Sequence, residues 1–472
     1  MNAHNKNILN GLPGDDRGLA PGEARCPGRT VQDIIATDLH PAPDVLKQQS
    51  YRYLGSEDVP FARYTGKEFF AAELEQVWSK VWQWACRLEH IPQVGDYYVY
   101  EIGPYSILVV NTPKGIKAYH NSCLHRGTKL KPEEGMGSSD QLRCPFHGWT
   151  WSLEGELVSV PCAWDFPHAK PEEFKLPEVR VGLWGGFVFI NLDENAENLE
   201  SYLQELPEHF KDWDMEHRFT ELHVAKELPC NWKAAVEAFL EAYHVIETHP
   251  QLLPGTNDAN VQYDTYSQHI TRFYSASGTS SPHLERPLSE QELVDAMLIG
   301  DRSMVNDELQ VREGETARIV MARFLRKLMG EKYQVDLDHF SDAEIIDTIE
   351  YHVFPNMVLF PGLSLPMVYR FRPLGCDPDR SLFEILFLRP FAPGTERPEA
   401  PEVAMVKEEE SYAVAEGLDP YLAHVYDQDT SNMRAQQQGF KAAKKQGETL
   451  GNYQEVRIRH FHKVLDGYLQ QS

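Results

Sequence analysis

The chain has 472 residues, 42% of them hydrophobic, and a formal net charge of −26. That length exceeds one ordinary core, so two domains sharing a large interface are expected. The acidic excess argues against nucleic acid and anionic membrane surfaces as partners and favours a protein with a basic docking face. No stretch approaches eighteen consecutive apolar residues, the start Met1-Asn-Ala-His-Asn-Lys-Asn has no leader pattern, and the seven cysteines show no disulfide-like spacing. A soluble protein of a reducing cytoplasm is therefore expected.

The first fifty or so residues are rich in Gly, Pro and Asp and carry little periodicity, which predicts an extended arm suited to wrapping a neighbouring subunit. From Lys67 to Trp84 the residues Phe69, Phe70, Leu74, Val77, Trp78, Val81 and Trp82 recur at helical spacing. The period then changes. Tyr97-Tyr-Val-Tyr-Glu-Ile, Ser106-Ile-Leu-Val-Val-Asn and Ile116-Lys-Ala-Tyr are short β-branched or aromatic runs broken by Gly-Pro and Pro-Lys-Gly, as in a small antiparallel barrel. Further strands are predicted at Thr150 to Leu153 and Gly186 to Asn191, and Leu199 to Trp213 turns helical and opens a second domain.

Within the β region, Cys123-Leu-His125 and Cys144-Pro-Phe-His147 each offer one thiolate and one imidazole, with eighteen residues between His125 and Cys144. A structural zinc site more often draws two cysteines from one turn and two histidines from another. One ligand of each kind per loop suits a two-iron cluster with two cysteines on one iron and two histidines on the other, because two facing loops then each reach both irons.

A second constellation lies in Asn231-Trp-Lys-Ala-Ala-Val-Glu237-Ala-Phe-Leu-Glu241-Ala-Tyr-His244-Val-Ile-Glu-Thr-His249-Pro250. In a regular helix Glu237, Glu241 and His244 fall within about 60° of one another, while His249 points about 140° from His244. Both imidazoles reach one metal only if the helix ends between them, and Pro250 supplies a reason, so a helix end and turn are predicted at about Val245 to Thr248. Two histidines and one carboxylate form the facial triad of non-haem iron, with open positions beside it. An acidic solvated face with incidental histidines would carry the same pattern. Beyond it, Ser280 to Asp347 reads as two or more helices, including Glu315 to Met329, and Tyr351 to Gly362 and Leu382 to Pro390 read as strands of a curved sheet.

Asn121-Ser-Cys123-Leu-His125-Arg126-Gly127 and Arg143-Cys144-Pro-Phe-His147-Gly148-Trp149 resemble the Rieske domain of the Rieske non-haem iron oxygenases. Asn231-Trp-Lys, Glu237, Phe239, an acid three residues before His244, and His249 resemble the mononuclear-iron segment of the same family. The resemblance implies an α+β chain. It comprises a small all-β Rieske domain, 59–180, and a larger catalytic domain, 181–472, with a curved antiparallel sheet wrapped around helices in helix-grip fashion. The arm, 1–58, would belong in part to the catalytic domain, and 280–347 would form a helical insertion or lid.

It further implies a [2Fe–2S] cluster on Cys123, His125, Cys144 and His147, and a mononuclear Fe(II) on His244, His249 and a distant aspartate near the start of a C-terminal helix. Asp429 is chosen for that place over Asp427, one of the two being left as a helix cap. Glu241 stands where most members have Asp, and Ala238 where many have Asn. The family's acid there bridges the cluster of one subunit to the iron of its neighbour, so Glu241 is assigned as the electron bridge of a head-to-tail trimer, with or without a small β subunit. Electrons would come from NAD(P)H only indirectly, through a separate reductase and, in some systems, a ferredoxin. The expected activity is hydroxylation of a small aromatic or alicyclic substrate by dioxygen. The alternative is a monooxygenase of quaternary-amine or N-/O-methyl substrates. Phe239, Leu240, Leu252, Val358 and Phe360 are candidates for an apolar pocket lining, although such residues equally build core.

Overall fold

The computed structural model describes residues 18–298 and 307–470. The first part of the expected arm, residues 299–306 of the expected insertion and the last two residues lie outside the described residues.

The runs Tyr97–Ile102, Ser106–Asn111 and Ile116–Tyr119 lie in strands Asp96–Ile102, Tyr105–Thr112 and Gly115–His120 of a seven-stranded antiparallel sheet. Its order is Gln83–Arg87, Phe187–Asn191, Glu178–Trp184, Gly115–His120, Tyr105–Thr112, Asp96–Ile102 and Gly135–Ser138. The unbroken apolar run Ile107-Leu-Val-Val110 has a physical reason. Alternate residues of a strand point to opposite faces, and here Ile107 and Val109 enter the main core while Leu108 and Val110 enter a second core around Cys123 and Cys144. A three-stranded sheet, Leu142–Arg143, Thr150–Trp151 and Leu157–Ser159, closes that second core.

The expected limits of 59 and 180 do not coincide with this sheet. Residue 180 falls inside Glu178–Trp184, and the sheet runs on to Asn191 because Phe187–Asn191 pairs with Gln83–Arg87. At the other end Val59–Pro60 pairs with Gly447–Glu448, and the rings of Phe61 and Tyr64 pack on Phe440 near the C-terminus. The helix expected over 67–84 runs as Lys67–Glu73 and a π-helical turn Leu74–Trp78, and by Gln83 the chain is already strand. Val81 and Trp82 are buried from the connection between the two.

An eight-stranded curved sheet carries the rest, in the order Gln262–Thr265, Ile270–Ser275, Thr348–Val353, Met357–Leu359, Met367–Pro373, Ser381–Pro390, Arg218–Leu228 and Val403–Val406. Only the last strand pairs parallel. The C-terminal helix Val456–Leu469 buries Val456, Ile458, Phe461 and Leu465. Its Arg457 ties helix to sheet through Thr271 Oγ1 at 3.0 Å and Glu350 at 2.7 Å. The two large sheets are joined by fully buried Arg370, which donates to the backbone oxygens of Trp84 and Ala85 and pairs with Glu384 at 2.6 Å. Removing one partner of such a pair leaves an uncompensated buried charge, at a cost of about 3–5 kcal/mol.

The described part of the arm does not extend outward. Val31, Ile34, Ile35, Ala42 and Leu46 are buried in this chain's own core, and Arg272 donates to the carbonyls of Val45 and Gln48. A capping box of Thr30 and Asp33 starts the helix Val31–Ile35, and these five buried apolar side chains anchor the segment. The insertion forms helices Glu290–Met297, Ala317–Tyr333 and Asp342–Ile346; Arg318 fastens it to the arm through Asp38 and pairs with Asp347, which accepts from the Tyr274 hydroxyl of the sheet at 3.1 Å.

Candidate metal centres

The first centre is built from two loops with the same backbone plan. In one, Cys123 N–H donates to Thr128 O and Gly127 N–H donates to Cys123 O, both at 2.8 Å. In the other, Cys144 N–H donates to Trp149 O at 2.8 Å and Gly148 N–H to Cys144 O at 3.1 Å. Each turn needs a left-handed residue after its histidine, and the glycines supply it at φ +77° and +73°. Cys123 and Cys144 are buried and within hydrogen-bonding reach of each other, yet all seven cysteines are free. His125 and His147 meet with ring centroids 4.7 Å apart, and His125 stacks on Trp149 at 5.1 Å and 3°. His125 Nδ1 is buried without a hydrogen-bond partner. A buried nitrogen without a partner on a ring set against a second imidazole, with two close thiols on the same pair of loops, is what a metal-ligating set leaves behind when read as side chains alone, so these residues fit the cluster.

The second centre departs from the expected helix. The helix Trp232–Glu237 ends seven residues before His244, and Val245–Thr248, expected as a turn, is one helical turn with His244 before it. Backbone groups that a continuous helix would pair are taken by side chains. Ala242 N–H goes to Tyr263 Oη at 3.0 Å, Leu240 O accepts from Arg457 at 3.2 Å, and His244 N–H goes to Glu241 Oε2 at 3.0 Å.

The aspartate sits elsewhere on its helix than expected. Pro420–Ser431 begins at the cap Asp419, and Asp429 lies in its last turn. There Asp429 Oδ1 is 2.6 Å from His249 Nε2 and 3.6 Å from His244 Nε2. One ligand atom from each of the three residues falls within 4.8 Å of the others. Asp427 faces away, accepting from Tyr412 N–H at 2.9 Å and from the Ser411 hydroxyl.

Each imidazole is oriented from behind. His244 Nδ1 lies 2.7 Å from Glu241 Oε1, and His249 Nδ1 lies 3.0 Å from Gln428 Oε1. Acceptors on both Nδ1 atoms fix the tautomer that leaves Nε2 free toward Asp429, the arrangement a metal-ligating histidine needs. Burial lowers His244, but Glu241 and Asp429 overcome it and raise the ring to about 9. The site favours a positive charge, and the residues present fit a divalent cation. Nothing in the sequence singled out Gln428, whose role depends on a contact across 179 positions.

A cavity of about 440 Å³ adjoins the triad, lined among others by Glu237, Glu241, His244, Asp429, Glu448 and Glu455. None of the five expected apolar residues lines it. Leu240 and Val358 are fully buried and Phe360 nearly so, Leu252 packs in a satellite core, and Phe239 fits among Tyr369, Phe371 and Phe383 with centroids 5.0–5.3 Å away. Their side chains are consumed in packing. No described residue of the insertion lines this cavity.

Residues 205–471 match the model of the ring-hydroxylating alpha subunit catalytic domain, and 81–170 match that of the Rieske [2Fe–2S] domain. The glycine betaine monooxygenase oxygenase subunit of Pseudomonas aeruginosa is 30% identical over 213 residues, 44% of this chain and 48% of that protein. The carnitine monooxygenase oxygenase subunit of Escherichia coli (strain K12) is 33% identical over 217 residues, 44% of this chain and 55% of that protein. The chain thus spans about half the length of the curated relatives it matches. Among solved structures, a quaternary ammonium Rieske monooxygenase superposes with a TM-score of 0.62 at 20% identity, covering 88% of this chain and 95% of the other. A naphthalene 1,2-dioxygenase mutant does so with 0.62 at 18% identity, covering 90% and 95%.

Proposed function

The chain belongs to the ring-hydroxylating alpha-subunit family of Rieske oxygenases, and from that premise we propose that it is the terminal oxygenase of a multicomponent system. Two metal-binding sets in one chain, Cys123/His125/Cys144/His147 and His244/His249/Asp429, are the observation that carries this reading. An electron carrier needs only the first set, and a non-haem iron enzyme without electron supply needs only the second. When bound, the cluster delivers single electrons and the mononuclear iron offers the position at which dioxygen is activated.

The chain's own work is orientation and exclusion of water. Glu241 and Gln428 hold the two imidazoles with Nε2 forward, and Tyr263 and Arg457 pin the backbone between Leu240 and Ala242. Glu241 is half-buried and touches His244, a position from which a carboxylate reaches a neighbouring subunit's cluster histidine in a head-to-tail trimer. The electron donor is a separate reductase, directly or through a ferredoxin, and the net charge of −26 suits a basic docking face on it. The protein's place is the cytoplasm. Among the described residues no helix is long and apolar enough to cross a membrane.

Of the two substrate classes, a quaternary-amine or N-methyl compound is favoured over an aromatic or alicyclic one. Relatives named for glycine betaine and carnitine support it. The test supplies oxygen-18 gas and a reductase to the iron-loaded protein with each class in turn. Label is expected in a hydroxylated amine product or, where the C–N bond then breaks, in the aldehyde released with the amine and trapped before it exchanges with water. Label in a diol of an aromatic, with the amines inert, would overturn the substrate assignment and leave the oxygenase reading standing.

A further inference from the structure

The cavity wall holds a polar cluster that the electron path does not use. Tyr64, fully buried on the short helix Ala62–Thr65, places its hydroxyl 2.9 Å from Glu237 Oε2, 2.9 Å from Glu448 Oε2 and 2.9 Å from His462 Nε2. His462 Nε2 is in turn 2.9 Å from Glu237 Oε1. A phenol has one proton to donate. Two carboxylates on one hydroxyl therefore require a further proton: Tyr64 donates to one and accepts from the other, which must be protonated. Both carboxylates line the cavity beside the metal triad, Glu237 at 4% exposure and Glu448 half-exposed on the strand that pairs with Val59–Pro60.

Building on the oxygenase reading, we propose that Glu448, Tyr64 and Glu237 form a proton path from solvent to the cavity beside the mononuclear site. Hydroxylation of one C–H bond by dioxygen, with two electrons from the donor protein, takes up two protons and releases one water. Those protons have to arrive beside the mononuclear site. Glu448 takes a proton from solvent. Its O–H bond breaks as one forms at the Tyr64 oxygen, Tyr64 passes its own proton to Glu237, and Glu237 releases it to water in the cavity. The phenol then turns back. Each turnover of the path moves one proton and leaves all three groups as they began.

Burial keeps the shared proton available near neutrality. Burial pushes the Glu237 carboxyl up to about 8, against lowering by the Tyr64 hydrogen bond and by Lys233 and Arg63. Burial, then the charge of Glu237, push Glu448 up to about 8 as well, with Glu455 adding to the rise and Lys445 opposing it. Burial holds His462 well below its usual range, with Arg63 and Lys233 lowering it further and Asp466 opposing, so the ring is neutral and can orient Glu237. Lys233 is itself neutralised by Glu73 at 2.7 Å, and Arg63 by Asp466 at 2.8 Å, leaving neither free to strip the proton from Glu237.

Infrared spectroscopy of the full-length protein near neutral pH, in light and heavy water, tests the shared proton without any turnover. A deuterium-sensitive carbonyl band of a protonated carboxyl is expected in the wild type. Its intensity should fall in both Glu237→Gln and Glu448→Gln, and Tyr64→Phe should move it. Superimposable wild-type and Glu448→Gln spectra would overturn the proposal; that variant decides the matter if the buried Glu237→Gln does not fold, because Glu448 is half-exposed. In the reconstituted system Tyr64→Phe should keep its iron and its reduced-cluster signal while product formation slows about 10-fold or more, with a larger solvent isotope effect. An unchanged rate and isotope effect would contradict the path. A wild type lacking iron and cluster signal would instead sink the oxygenase reading, and the infrared result would still stand by itself.

Discussion

The two metal centres differ in how the chain assembles them. The cluster ligands lie between Cys123 and His147, on two loops whose internal hydrogen bonds repeat one plan. The mononuclear ligands lie on separate elements, with His249 and Asp429 180 positions apart. Loops that are local and self-bonded carry their geometry in their own sequence. A site drawn from distant elements depends on side chains that dock one element on another: Glu241 orients its histidine locally, but Gln428 and Arg457 reach His249 and Leu240 across 179 and 217 positions.

That contrast is open to direct attack. The largest effect is expected at the third ligand: Asp429→Ala should remove about one iron of three and leave the cluster spectrum intact, whereas Asp427→Ala should leave all three, as read by iron and sulfide counting. Loss of mononuclear iron on Asp427→Ala alone would reverse the assignment. Glu241→Gln should retain both kinds of centre yet slow reoxidation of the reduced cluster in the presence of substrate and oxygen about 100-fold, measured by stopped-flow absorbance. Gln428→Ala releases one imidazole rather than a ligand, and iron retention against a chelator should weaken about 10-fold. The smallest effect belongs to the local site. Gly127→Ala meets only the Ser122 hydroxyl oxygen, at 4.0 Å, but holds a positive φ, so it should cost about 1–2 kcal/mol in thermal unfolding and leave the ligand set unchanged.

The same contrast sets what the sequence made legible. The paired Cys/His loops, the strands around them and the helix Ala317–Tyr333 announce themselves through spacing, period and caps. The break after Glu237 does not. Ala, Glu and Leu are good helix formers, and periodicity contains no sign that Tyr263 and Arg457 take the backbone groups of Ala242 and Leu240. The arm reads as extended because its few apolar residues show no period, although those few suffice to fasten it onto Arg272 and the core. The limits of the small sheet shift because Phe187–Asn191 reaches back across the chain to Gln83–Arg87, a pairing that local composition does not encode. Phe239 and its aromatic neighbours look the same in sequence whether they face a cavity or one another.

The most direct test of two distinct iron centres in one chain is iron and sulfide content, with the EPR spectrum of the dithionite-reduced protein, in wild type and Cys144→Ala. The account predicts about three irons and two sulfides per chain with a reduced Rieske signal, falling to about one iron, no sulfide and no such signal in the variant. A colourless wild type holding zinc at Cys123, His125, Cys144 and His147 would contradict it.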